Sequence, residues 1–143
     1  MSTKIWKKDF TIAAVNDING ACMPGHVGIE VTEIGDDYMT AKMPVDHRTR
    51  QPMGLLHGGA SVVLAETLGS IAGLLCIAAA DKTVVGVEIN ANHLRAARDG
   101  FVFGTARPIR IGRNLQVWNI EIKDEQERLT CVSRITLAVV DIR

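Results

Sequence analysis

The chain lacks the features that direct a protein to nucleic acid, to a membrane or out of the cell. Its 16 basic and 16 acidic side chains cancel, so no overall field attracts nucleic acid or an anionic membrane. The opening residues carry charges with no apolar run behind them, unlike a secretory signal. Three widely spaced cysteines, Cys22, Cys76 and Cys131, form no C-x-x-C pair, which favours reduced thiols. We therefore expect a cytoplasmic protein with no membrane or nucleic-acid partner.

Several signatures of catalysis and metal binding are also missing. The four histidines are dispersed without a ligand-spaced cluster, so we predict no metal site. Neither a G-x-S-x-G motif nor a Ser-His-Asp order is present, which leaves no serine route. The longest apolar stretch, residues 59–80, contains Glu66, several glycines and many small residues. This composition is typical of a buried core helix and makes a poor membrane span.

The patterns that are present predict one α+β domain spanning residues 1–143. A short helix is predicted over residues 11–20, capped by Thr11 and with an apolar stripe of Ile12, Val15 and Ile18. A long helix is predicted over about residues 59–79, and it carries a stripe of small residues that includes Gly69. Such a stripe indicates either tight packing or a ligand channel.

Strand patterns occupy most of the remaining chain. A hairpin is predicted from residues 28–34 and 38–45, and further strands follow the long helix. In the first of these, Val85, Val87, Ile89 and Ala91 alternate with polar neighbours and are predicted to share one face. The other strand runs are residues 101–111, 115–123 and 129–140. Because the strands are segregated, we expect an antiparallel sheet with the long helix lying across it.

The most informative stretch is QPMGLLHGGASVVLAETLGS at residues 51–70. Glu66 is the single charged side chain between His57 and Asp81, and apolar residues surround it. Burying an ionised acid is costly unless it is paired or solvated, so we expect this carboxylate to be catalytic. The alternative is a helix charge that reaches solvent or a partner subunit.

The neighbouring residues fit acyl transfer. His57, Gly58 and Gly59 lie at the helix entry, where free backbone N–H groups and the positive end of the dipole favour an oxyanion. Glu66 lies two turns further on, and we expect it to flank a carbonyl held at the entry. Such a site suits a thioester, because thiolate is a good leaving group and little acid catalysis is needed.

Other polar residues of the stretch are weaker candidates. Ser70 is four residues after Glu66 and shares its helix face, while Gln51 and His57 could hold the carbonyl or Glu66 itself. Each also has a structural interpretation: Ser70 as a packing residue, His57 as a cap, Gln51 as an ordinary loop amide and Gly58 as a turn glycine.

With VVGVEINANHLR downstream, this stretch resembles the hotdog-fold acyl-CoA thioesterases of the phenylacetic-acid-degradation and 4-hydroxybenzoyl-CoA thioesterase type. Within that type it is similar to the bacterial thioesterases of 1,4-dihydroxy-2-naphthoyl-CoA hydrolysis and of enterobactin proofreading. The similarity extends from about Trp6 to Val140. It implies a five- or six-stranded antiparallel sheet wrapped around the long helix, and a dimer, usually paired into a tetramer, with its site at the subunit boundary.

The resemblance also implies roles for the candidate residues. Glu66 would be nucleophile or general base, and the Gly58 amide would polarise the thioester carbonyl. Gln51 and His57 would position the carbonyl or the attacking water, and Ser70 would assist. No cofactor is implied, since the CoA thioester is the substrate.

Basic residues after the third strand are candidates for the CoA end of the substrate. They are His93, Arg95 and Arg98, with Arg113 as a weaker candidate. Arginine suits phosphates through its planar fork of donors, although such charges are often simply solvated.

Two other functions remain open at this point: a non-catalytic acyl-CoA binding module on the same scaffold, and a hydratase. The sequence does not distinguish aromatic from medium-chain acyl groups, or CoA from a carrier protein.

Overall fold

The computed structural model describes residues 4–143 and contains three helices and six strands within them. The helices are α1 (Ile12–Gly20), α2 (Met23–His26) and α3 (Gly58–Leu75). The strands are β1 (Glu30–Ile34), β2 (Met39–Pro44), β3 (Lys82–His93), β4 (Phe101–Ile111), β5 (Leu115–Lys123) and β6 (Leu129–Asp141). The single-turn helix α2, which has Pro24 in its first turn, was not predicted.

The strands form one six-stranded sheet in the order β1-β2-β4-β5-β6-β3, and all neighbouring pairs are antiparallel. Helix α3 packs across one face of this sheet and contacts strands β2 to β6. This confirms the predicted antiparallel sheet, the hairpin and the α+β class. Strands β1 and β3 form the two edges, so each has one side without a neighbouring strand.

The core lies between α3 and the sheet. Leu64 and Leu68 of the helix are completely buried against inward side chains of the central strands. Those strand residues, also without exposed surface, are Met39, Ala41, Met43, Val102, Ala106, Trp118, Ile120, Ile122, Cys131, Ile135 and Leu137. Although α3 is long and apolar enough to cross a membrane by composition, it serves here as the central core helix, as predicted.

Small residues let α3 approach the sheet closely. A Cβ added to Gly69 would lie 2.5 Å from Cγ2 of Ile135, and one added to Gly73 would lie 2.5 Å from Cδ1 of Leu137. The buried Gln116 amide also donates to the Gly73 carbonyl oxygen at 3.1 Å. The stripe therefore serves tight packing, and the ligand-channel interpretation is wrong for these two glycines.

Helix α3 ends at Leu75 rather than near residue 79. Its last carbonyls are taken by other donors: Lys7 N donates to Leu75 O at 2.8 Å, and Ile77 N turns back to Leu74 O. Because the N-terminal segment binds the final turn, the backbone leaves the helical path there.

Two predicted apolar faces are wrong in part. In α1 the cap by Thr11 is confirmed, since its hydroxyl accepts from Ala14 N, and Val15 is buried. Ile18, however, is 75% exposed, so the stripe does not face the core along its length. In β3, Val85 and Val87 are exposed while Ile89 and Ala91 pack against the core.

The cysteines are free: Cys22 is exposed, while Cys76 and Cys131 are buried. Burial raises the pKa of the Cys76 thiol to about 12, so it is uncharged at neutral pH.

The close packing of α3 gives a stability prediction. We expect Gly69→Ala to lower the free energy of unfolding by about 1–3 kcal/mol, because the fully buried Ile135 has no room to move. The matched control is Gly20→Ala in α1, where nothing lies within 4 Å of an added Cβ. Urea unfolding measures both variants, and equal stability of the two would contradict tight packing at Gly69.

Candidate active site

An ordered loop before α3 presents Gln51. The Thr49 hydroxyl donates to the Pro44 carbonyl oxygen, and the Asp46 carboxylate accepts from the Arg48 guanidinium at 2.7 Å. The hydrogen bonds from Arg48 lower the pKa of Asp46 to about 2, so this carboxylate stays ionised at working pH. The Gln51 side-chain oxygen accepts from Met53 N, which leaves its NH₂ group to donate elsewhere.

The start of α3 has one free backbone N–H. His57 is the N-cap, and its Nδ1 accepts from Gly59 N at 2.8 Å. The His57 carbonyl oxygen accepts from Ala60 N and Ser61 N. Within residues 4–143, Gly58 N–H alone among these first four amides has no acceptor. Gly58 therefore offers the donor that a developing oxyanion requires.

The His57 cap fixes the state of the imidazole. Because Nδ1 accepts a hydrogen bond, the proton of the neutral ring is on Nε2, which is free to donate. The structural interpretation of His57 as a cap is thus confirmed, and it leaves a donor available for a substrate.

A shallow cleft of about 310 Å³ opens beside this helix terminus. Gln51, His93 and Arg95 line it, together with Ser61 of the first turn of α3. The His93 ring lies against Gly58, where an added Cβ would be 2.9 Å from Nε2. His93, predicted for CoA binding, thus lies beside the free Gly58 amide.

Ser61 was missed by the sequence reasoning. It is 3% exposed and lines the cleft. A lone hydroxyl on the inward face of an otherwise apolar helix is the signal that could have drawn attention to it.

Glu66 is exposed, so the expected burial is wrong for the single chain. The α3 face that carries it is directed towards edge strand β3 of its own sheet. Its carboxylate lies over the edge strand at Gly86, where an added Cβ would be 2.7 Å from Oε2. Among residues 4–143 this carboxylate has no hydrogen-bond or ion-pair partner.

The chain does not bring Glu66 and Gly58 to one point. They are eight residues apart in a continuous helix, which corresponds to about 12 Å along its axis. The prediction that Glu66 flanks a carbonyl held at a helix entry is therefore not met within a single chain. Ser70, one turn beyond Glu66, lies partly buried on the same face.

The predicted phosphate-binding arginines line adjoining clefts and are exposed. Arg95 borders both the His93 cleft and a neighbouring one of about 430 Å³, which Arg98 and Arg128 also line. The Arg98 carbonyl oxygen accepts from the Arg50 guanidinium at 2.8 Å, which orders this segment. Arg113 lies in the β4–β5 turn and lines neither cleft.

No group of three or more His, Cys, Asp or Glu side chains suited to a metal ion occurs in the described part of the chain. The groups that could take part in a reaction are the free backbone amide of Gly58, the side-chain donors of His57 and Gln51, and the carboxylate of Glu66.

A six-stranded antiparallel sheet wrapped around a single long helix defines the class as the hotdog fold. The chain belongs to the Thioesterase superfamily, whose family model matches residues 53–131. It is a thioester hydrolase, as the sequence resemblance predicted.

Several similar proteins are named as thioesterases or as a CoA-thioester hydrolase. The chain is 54% identical over 136 residues to a 1,4-dihydroxy-2-naphthoyl-CoA hydrolase of Escherichia coli (strain K12), covering 95% of this chain and 99% of that one. It is 51% identical to the proofreading thioesterase EntH of Cronobacter turicensis, covering 95% and 98%. A thioesterase structure from Haemophilus influenzae superposes with a TM-score of 0.93 at 54% identity, covering 96% and 95%.

A more distant protein of Staphylococcus aureus has been solved in two alanine variants. The variant in which a glutamate is replaced by alanine superposes with a TM-score of 0.82 at 36% identity, covering 85% of this chain and 100% of that one. The variant in which a glutamine is replaced by alanine, described as a thioesterase, has a TM-score of 0.79 at 36% identity, covering 82% of this chain and 97% of that one. The two replaced residues lie fifteen positions apart in that protein.

The role of the Gly58 backbone N–H can be tested by a substitution that removes this N–H. Proline is tolerated at the first helical position, where Gly58 lies, and it lacks the N–H. We expect Gly58→Pro to reduce kcat about 10²–10³-fold relative to Gly58→Ala, because both add a Cβ beside His93 but only proline removes the donor. Thioester hydrolysis assays measure the ratio, and equal rates for the two variants would exclude the amide as oxyanion donor.

Proposed function

We propose that this enzyme hydrolyses acyl-CoA thioesters at a site that two copies of the chain build together. The observation that carries the proposal is the pairing, on one helix, of a free amide at Gly58 with an unpartnered carboxylate at Glu66. The first suits the developing oxyanion of a thioester carbonyl, and the second suits attack on its carbonyl carbon.

The proposed reaction has two variants with the same outcome. In both, the thioester carbonyl oxygen accepts a hydrogen bond from Gly58 N–H. In the general-base route, Glu66 takes a proton from water, and that water attacks the carbonyl carbon. In the direct route, the Glu66 carboxylate attacks the carbonyl carbon itself. The tetrahedral intermediate then collapses, the carbon–sulfur bond breaks, and CoA leaves as thiolate. In the direct route, water afterwards hydrolyses the mixed anhydride and restores Glu66. Isotope-labelled water in a single turnover separates the routes, since label appearing first in Glu66 supports direct attack.

The roles proposed for the other residues follow from their positions. Gln51 and His57 each keep a free N–H donor near the cleft at the helix start, and these would orient the carbonyl or the attacking water. Ser70 shares the helix face of Glu66 and would assist there. The carboxylate and the donors supply the chemistry, so we propose that no cofactor or metal takes part.

Two copies are needed because a carbonyl cannot contact groups about 12 Å apart. Edge strand β3 is twelve residues long, and it exposes Val85 by 47% and Val87 by 61%. Such an edge is a template for another strand. If a second copy pairs antiparallel along β3, the Gly86 end of one strand approaches the His93 end of the other, which brings Glu66 of one copy towards Gly58 of its partner. The minimal assembly is then a dimer, and we propose that dimers pair into tetramers.

The proposed substrate is an aromatic or medium-chain acyl-CoA. The relative from Escherichia coli is named for an aromatic acyl-CoA, and the Cronobacter relative for a proofreading thioesterase. His93, Arg95 and Arg98 follow one another from the carbonyl end outwards along the clefts, and the exposed guanidinium groups suit the phosphates of CoA. A phosphopantetheinyl carrier protein presents the same arm and is the alternative carrier. Free cysteines fit a cytoplasmic location.

The Staphylococcus variants add support for two residues. The glutamine and glutamate replaced there have the same separation as Gln51 and Glu66 in this chain. We infer that they are the counterparts of these residues.

The proposal predicts that Glu66→Gln and Glu66→Ala stay folded. We expect kcat of each variant to fall about 10²–10⁴-fold, which is the rate enhancement that a general base typically contributes. The exposed side chain has no hydrogen-bond or ion-pair partner among residues 4–143, so the midpoint of thermal unfolding should be unchanged. Free-thiol release from aromatic, short-, medium- and long-chain acyl-CoA and from an acyl-carrier protein measures activity and specificity.

The matched control is Glu30→Gln, which removes another exposed glutamate on the far edge strand β1. It should hydrolyse at the parent rate. A folded Glu66→Ala variant with parent activity on its best substrate would end the proposal.

Sharing of the site between copies predicts complementation. Glu66→Ala and Gly58→Pro should each be nearly inactive alone, but each mixed dimer contains one site with both groups intact. After unfolding and refolding together, we expect up to about one quarter of parent activity, because about half the dimers are mixed and one of two sites is intact. No recovery despite mixed-dimer formation, verified by tagged subunits, would place both groups of each site in one chain.

A further inference from the structure

A side chain at Gly86 of the edge strand would collide with Glu66 of α3. A Cβ added to Gly86 would meet Oε2 of Glu66 at 2.7 Å and its Cδ at 3.8 Å, and apart from its chain neighbours no other atom of residues 4–143 would lie within 4 Å. The space that a side chain would fill at this position is therefore occupied by the carboxylate. By contrast, the helix glycines Gly69 and Gly73 are close to fully buried core side chains.

A β-bulge directly follows Gly86. Gly86 pairs with Leu137 and Glu88 pairs with Thr136, so Val87 is an extra residue in β3. The bulge reverses the alternation of faces along the strand. Val84 and Gly86 face the helix before it, and Ile89, Ala91 and His93 face the helix after it.

This reversal has two consequences for the site. Gly86 and His93 are an odd number of residues apart, so a regular strand would put them on opposite faces, whereas the bulge puts both against α3. Without the bulge, regular alternation after Gly86 would turn Glu88 towards the helix and towards Glu66. Instead, Glu88 faces away and accepts from the Asn90 side-chain amide at 3.1 Å.

We propose that Gly86, with the bulge at Val87, is a positioning element that sets where the Glu66 carboxylate lies over the strand. The inference rests on the proposed catalytic role of Glu66. The proposed action is indirect: Gly86 leaves the space that the Glu66 carboxylate fills. A methyl group there forces the carboxylate away from its place, and displacement of a reacting group by about 1 Å can cost about 10²-fold in rate.

The test is Gly86→Ala in the full chain, with Gly20→Ala as control. The collision involves the far end of an exposed side chain, so we expect an unchanged unfolding midpoint. We expect kcat to fall at least tenfold with KM little changed, because the carboxylate moves and the cleft residues do not. Gly20→Ala should match the parent in both parameters.

A double-variant comparison separates this role from a merely structural one. Aspartate is shorter by one methylene, so its carboxylate should clear the added methyl group. Glu66→Asp is slower than the parent, but adding Gly86→Ala to it should cost less than twofold. A further loss of tenfold or more in the Glu66→Asp background would overturn the proposal, since the methyl would then act without meeting the Glu66 carboxylate.

Two more outcomes are decisive. If folded Gly86→Ala retains the parent kcat while Glu66→Ala is inactive, this inference is overturned and the proposed function is not. Activity in Glu66→Ala overturns the proposed function instead. If Gly86→Ala does not fold, a folded Glu66→Asp/Gly86→Ala protein supports the contact, whereas failure of both overturns it.

Discussion

The rise of a continuous α-helix is the constraint on which this site depends. Gly58 and Glu66 are both in α3, so their separation of about 12 Å along the axis cannot change without breaking helical hydrogen bonds. A free amide and a free carboxylate held this far apart cannot act on the same carbonyl within one chain. In the proposed dimer, the helix contributes one half of each of two reaction centres, and the halves meet along the exposed edge of β3.

The packing of α3 keeps these groups in place. Its inward face is fixed by Gly69 and Gly73 against the β6 side chains Ile135 and Leu137, and its last turn by Lys7 N. Its first turn is closed by His57 and left with the single unpaired amide of Gly58. The groups that we propose to be catalytic are thus the unpaired groups of a helix whose other contacts hold it in place.

The sequence predicted most of the fold because its periodicities were clear. The strands after α3 agree with the observed β4, β5 and β6 to within a residue or so, and Thr11 capped α1 as expected. The error in β3 has a physical cause: Val87 suits either face of a strand, so the extra residue of the bulge leaves no mark on the hydrophobic pattern. The free Gly58 amide agrees with the predicted oxyanion role. The predicted burial of Glu66, in contrast, is not observed in the single chain. An apolar helix looks buried on all sides in sequence, yet in a single chain Glu66 of α3 lies over the edge strand β3, and its side chain is exposed.

The most direct measurement is a crystal structure with a thioester analogue in which a methylene group replaces the sulfur. The account predicts that the ketone oxygen accepts from Gly58 N of one copy, while the Glu66 carboxylate of the other copy lies about 3–3.5 Å from the carbonyl carbon. An analogue bound to Gly58 with every Glu66 carboxylate remote from its carbonyl would contradict the account.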